Sequence, residues 1–66
     1  MNAGRDYGKA VEQAKANAKF RNEPRFVISY GGCYWVDGTR PRGGFGSMPY
    51  TEVLPDGTTE EKQTEV

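Results

Sequence analysis

The chain contains no histidine, the one side chain whose unperturbed pKa lies near neutrality. The usual general base is therefore missing. Ser29 and Ser47 have no evident base to activate them, and the adjacent carboxylates Glu60 and Glu61 sit in a polar C-terminal stretch. The expectation is a protein that is not an enzyme. Cys33 is the only cysteine, so no disulfide can form within the chain. One thiol, no imidazole and no carboxylate cluster at ligand spacing leave no donor set for a structural zinc. No cofactor and no metal are expected. A lone cysteine suits a reducing compartment. The N-terminal stretch has no apolar centre of the signal-peptide kind, and no apolar run approaches the ~18 residues of a membrane span. The expected location is cytoplasmic, with no membrane partner.

Large apolar side chains are also scarce. The chain has 66 residues, and a domain of that size buries only ~60% of the surface its unfolded form exposes. Small folds usually add a disulfide, a metal or a partner. With the first two excluded, association remains. A homo-oligomer, or a stable complex with a larger protein, is expected.

Net charge is zero, but its distribution is uneven. Arg5, Lys9, Lys15, Lys19, Arg21, Arg25, Arg40 and Arg42 outnumber Asp6, Glu12, Glu23 and Asp37 in residues 1–50. From residue 51 onward, Lys62 stands against Glu52, Asp56, Glu60, Glu61 and Glu65. A mildly basic body thus precedes an acidic end.

The segment from Asp6 to Asn22 reads as a helix. Asp6 is the expected N-cap, because its carboxylate accepts from free amides of the first turn. Lys19 and Arg21 lie where the helix dipole favours cations. Asn22 can take a left-handed exit, and Pro24 opposes continuation. Tyr7, Val11, Ala14 and Ala18, with Ala10 beside them, form a thin stripe at helical spacing. Arg5, Lys9, Glu12, Lys15 and Lys19 face away from it. Phe20 falls off the stripe.

Two β-rich runs then flank Gly31-Gly32, a pair suited to the positive dihedrals of a two-residue hairpin turn. That turn fixes the register: Tyr30 opposite Cys33, Ser29 opposite Tyr34, Ile28 opposite Trp35, Val27 opposite Val36. Alternation separates Phe26, Ile28, Tyr30, Cys33 and Trp35 from Val27, Ser29, Tyr34 and Val36. The first set is bulkier, so it is expected to face the helix. The second set, with Tyr34, is expected to face solvent. Asp37-Gly38 marks a turn into a short third strand at Thr39-Arg40, which would set Arg40 against Trp35 in a cation–π contact. The run "PYTEVLP" reads as an edge strand, and Thr58 onward as disordered.

Between them, "RPRGGFG" (Arg40 to Gly46) is loop-like and lacks the ending of a phosphate-binding loop. It resembles one unit of the arginine–glycine boxes of RNA-binding proteins, in a single copy. That resemblance implies arginine contacts with phosphates or bases and stacking on the aromatic ring. Lys15, Lys19, Arg21, Arg25, Arg40 and Arg42 are the candidate nucleic-acid contacts.

The fold expected is α+β: one N-terminal helix packed on a β-hairpin or short three-stranded antiparallel meander. Residues 1–57 form the domain and 58–66 a disordered acidic tail. The function expected is that of a small non-catalytic protein-binding module. It would occupy a surface on a larger partner, as accessory or inhibitor proteins of mobile genetic elements do. Tyr34, Arg40, Arg42, Phe45 and Tyr50 are the candidate partner-binding residues, since Tyr and Arg dominate interface hot spots. The alternative is a nucleic-acid-binding protein using the basic helix face and the RPRGGFG loop.

Overall fold

A computed structural model describes residues 2–43 and 46–64. Helix α1 (Tyr7–Arg21) is followed by strands β1 (Arg25–Tyr30), β2 (Cys33–Asp37), β3 (Pro49–Val53) and β4 (Thr59–Gln63). The chain is α+β, with one antiparallel sheet in the order β2-β1-β3-β4.

The helix is bounded as its sequence requires. The Asp6 carboxylate accepts from the Lys9 N–H at 3.1 Å. Asn22 closes the other end in the left-handed conformation, φ 55°. Ala10, Ala14 and Ala18 are fully buried. The hairpin has the register expected of it, from Tyr30 opposite Cys33 to Val27 opposite Val36. Gly31 and Gly32 have φ of 62° and 78°, the left-handed values a tight reversal demands.

The sense of the sheet is opposite to the expectation. Val27, Val36 and Val53 join Ala10 and Ala14 in the core, with Ala3, Val11 and Tyr34 packed around them. Phe26, Ile28, Tyr30, Cys33 and Trp35 therefore point away from the helix. The reason is spacing. An alanine stripe brings the helix axis close to the sheet, and valines fit that gap where Trp35 and Tyr30 cannot.

The third strand is also different. Residues 39–40 do not pair, and no meander forms. Instead β3 pairs with β1, Ile28 opposite Tyr50 and Arg25 opposite Val53, so "PYTEV" is interior and not an edge. Strands β2 and β3 both run antiparallel to β1 and flank it. Their connection, residues 38–48, must cross β1 and travel back a strand length. Its beginning lies opposite the helix, where Arg40 is 5.7 Å from the Phe26 ring centroid. Arg40 thus stacks on Phe26, and not on Trp35 as expected. Phe26 and Tyr50 meet edge-to-face at 5.9 Å, and both are buried.

Strand β4 occupies Thr59–Gln63, within the segment whose composition suggests disorder. Polar bonds hold it. The Thr64 N–H donates to the Met48 carbonyl at 2.9 Å, and the Met48 N–H donates to Thr64 Oγ1 at 2.8 Å. In the β3–β4 turn the Thr58 N–H donates to Asp56 at 2.9 Å, a bond that lowers the Asp56 pKa. Glu65 and Val66, the end of the expected tail, lie outside the described residues. At the other edge, the Ala3 N–H donates to the Tyr34 carbonyl at 2.8 Å and the Tyr34 N–H donates to the Gly4 carbonyl at 2.6 Å. The N-terminal residues thus cover β2 and leave β4 as the outer strand.

The hairpin turn gives a direct test. Gly32→Val forces a β-branched residue into left-handed space and is expected to lower unfolding free energy by about 1–3 kcal/mol. Gly31→Asn should cost well under half of that, because asparagine tolerates the conformation. Urea denaturation monitored by Trp35 fluorescence measures both; equal losses at the two positions would contradict the turn geometry.

Candidate docking face of the sheet

The strand rows place Ile28 and Tyr30 of β1 beside Trp35 of β2, with Met48 just before β3, on the face away from the helix. These side chains and Asp37 line one shallow, largely apolar groove. Tyr30 is 74% exposed, and Ile28, Trp35 and Met48 are half-buried. The Trp35 Nε1–H donates to the Tyr30 carbonyl at 3.1 Å. That bond satisfies the indole's one donor and fixes its ring. At the rim, the Thr39 N–H donates to the Asp37 carboxylate at 3.2 Å.

A second opening on this face is polar. Arg40, Arg42, Tyr50, Lys62 and Thr64 are among its lining residues. Its charges are organised by Glu52, which is buried. Glu52 Oε1 accepts from Lys62 Nζ at 2.9 Å and from Arg40 Nη2 at 3.5 Å. Lys62 also meets Glu60 at 3.3 Å. A buried carboxylate requires such partners; here they come from β4 and the crossing loop, so Glu52 ties both to β3. The hydrogen bond to Glu52, then the one to Glu60, raises the Lys62 pKa above its ordinary 10.5. Arg42 is exposed.

Of the residues singled out from sequence, Arg40, Arg42 and Tyr50 converge on this cleft. Tyr50 is buried, and one of the two arginines is engaged with Glu52. Tyr34 lies on the opposite side, its ring 5.4 Å from that of Tyr7. Tyr7 in turn shares a 2.7 Å hydroxyl hydrogen bond with Thr51. Tyr34 therefore belongs to the helix-facing layer, and its expected outward position is corrected. Phe45 lies outside the described residues.

The six candidate nucleic-acid cations are not brought onto one face. Lys15, Lys19 and Arg21 sit on α1, across the sheet from Arg40 and Arg42. Lys15 approaches Glu12 at 4.0 Å. The Arg25 side chain is only 14% exposed and lies 3.6 Å from Glu23; it also covers Gly38, where an added Cβ would fall 2.9 Å from Arg25 Nη1.

Sequence reasoning missed Ile28, Tyr30, Trp35 and Met48 as surface residues, and Glu52 and Lys62 as a pair. The alternation that groups the first three was visible. The size of the alanine stripe was the signal that should have turned them outward. Among the described residues no group of three or more His, Cys, Asp or Glu side chains is placed to hold a metal ion. No helix among them is long and apolar enough to cross a membrane.

The Lys62 contacts predict a pH dependence. A raised folded pKa means stabilisation that is complete below the unfolded value of about 10.5 and is lost as pH rises through the folded value. Lys62→Met is expected to lower the urea midpoint at pH 7. The gap to the unsubstituted protein should then close above pH 10.5. A gap that persists unchanged to higher pH would assign the effect to packing of the lysine stem and not to its charge.

Compared with protein-family models, with curated proteins and with solved structures, the chain matches none.

Proposed function

We propose that this chain is a small non-catalytic protein-binding module that acts by occupying a surface on a larger partner. The observation that carries the reading is the groove of Ile28, Tyr30, Trp35 and Met48, left open among the described residues on a sheet whose opposite face is closed by the helix. Aromatic residues and methionine are enriched at interface centres, and charged residues are depleted there. The groove has that composition, and the polar cleft beside it supplies a rim of Arg40, Arg42 and Lys62. A standard interface takes about 800 Å² from each partner, roughly a sixth of this molecule's 4635 Å². Groove and rim together are needed to supply it, so the partner spans the whole open face.

The rim cations also bear on the nucleic-acid alternative, and one experiment separates the two. The immobilised protein is incubated with lysate of cells that express it, at low and high salt, with and without nuclease. The expected result is a discrete protein that survives nuclease and high salt. It is lost by at least about thirtyfold with Tyr30→Glu, the scale of a hot-spot residue, and retained with Arg40→Ala and Arg42→Ala together. Bound material that nuclease removes, that falls steeply with salt and that depends on the arginine pair would overturn the proposal in favour of nucleic acid.

A further inference from the structure

Phe20 is the most exposed of the large hydrophobic side chains described, at 85%. Tyr30 is the next, at 74%. Phe20 lies in the last turn of α1, off the buried stripe of Ala10, Ala14 and Ala18. Its ring adds nothing to the core. Its chain neighbours Lys19 and Arg21 are both exposed, and neither makes an ion pair among the described residues. The helix end is thus an apolar knob flanked by two cations.

The groove on the far side of the sheet has the complementary character. Ile28, Tyr30, Trp35 and Met48 give it an apolar floor and walls, and among the described residues Asp37 is the one charged residue that lines it. The Asp37 carboxylate is held in place by the Thr39 N–H and stands at the groove's end, exposed. An apolar slot with one carboxylate matches an aromatic knob with adjacent cations, both in polarity and in sign of charge.

The geometry points to a second copy of this chain as the groove's occupant: Phe20 of one molecule inserts among Ile28, Tyr30, Trp35 and Met48 of the next, with Lys19 or Arg21 reaching Asp37. This rests on the reading of the groove as a protein-docking surface and names what fills it. Knob and groove lie on opposite sides of the sheet, so a molecule cannot fill its own groove. Nor can two molecules fill each other's through one flat two-fold patch. The contact is heterologous and head-to-tail, closing into a ring or extending as a chain. A larger partner that uses the open face competes with this contact, so self-association and partner binding exclude each other at the groove.

Sedimentation velocity across a hundredfold concentration range tests the assignment. The unsubstituted protein is expected to gain mass with concentration. Phe20→Ser and Tyr30→Glu each change an exposed side chain, and circular dichroism checks that both variants stay folded. Each should weaken association at least tenfold. Mixed one to one, they should restore a species of twice the monomer mass and nothing larger, because each such pair holds one intact knob and one intact groove. Asp37→Lys should abolish association, and Lys19→Asp with Arg21→Asp in the same chain as Asp37→Lys should restore it.

A protein that stays monomeric throughout overturns the inference, as does a mixture that stays monomeric. Association lost with Tyr30→Glu but kept with Phe20→Ser also overturns it, while leaving the groove a docking surface. Failure of the docking reading itself is visible separately, as partner capture indifferent to Tyr30→Glu.

Discussion

A helix whose inward side is alanine can rest only on a sheet face built of small side chains. That constraint orders the rest of the molecule. Ala10, Ala14 and Ala18 have no detectable exposure, which requires the sheet to come up close beneath them. Val27, Val36 and Val53 allow it; a face carrying Trp35, Ile28 and Tyr30 would hold the helix several ångströms further out. Once the valines are turned inward, alternation obliges Phe26, Ile28, Tyr30 and Trp35 to point the other way, while Tyr34 stays with the valines. The exposed aromatic surface is therefore a consequence of helix–sheet packing and not a separate feature added to it.

The same choice explains the glycine- and proline-rich connection between β2 and β3. With β1 between them, these two strands can be joined only by chain that crosses the sheet, and the helix occupies one side. The start of that connection therefore lies on the other side, where Arg40 covers the Phe26 ring. Among the described residues, the part of the face around Trp35 stays open as the shallow groove. Glu52 fastens the covered part. Its single carboxylate draws in Arg40 from the crossing and Lys62 from β4. The outer strand is thereby held by charge and hydrogen bonds where it has almost no apolar side chain to bury.

Sequence patterns were informative where the chemistry is local. A carboxylate directly before the free amides of the first turn, an asparagine before a proline and a glycine pair between β-branched runs act within a few residues of themselves. The helix ends and the hairpin register followed from them. Patterns failed where the outcome depends on a competition between distant segments. Ranking the two hairpin faces by bulk ignored how little room an alanine stripe leaves. "PYTEV" was read as an edge, yet it pairs on both sides, and its Glu52 is buried with partners ten and twelve residues away. Strand β4 was invisible for the same reason: what orders Thr59–Gln63 is its pairing with β3, reinforced by the Glu52 carboxylate of that strand on Lys62 and by Met48 on the adjoining Thr64. Of the candidate contact residues, Arg40 and Arg42 reached the open side because the crossing loop carries them there. Tyr34 did not, because its face was decided by the valines next to it.

The described residues cover one face of the sheet fully and the other in part. The helix closes one, Arg40 closes part of the other, and the described residues leave Trp35 and Ile28 half-buried. A small domain holds little free energy in reserve, and any partner that binds only the folded form adds to it by mass action. Under the proposed docking role, leaving the larger aromatic surface outside would link folding to association. The buried valine–alanine layer suffices to set the register and orient the strands, and the side chains with the most apolar area remain available to be buried by another molecule. A sheet with its bulk turned inward would be better filled as a monomer and would have nothing left to dock.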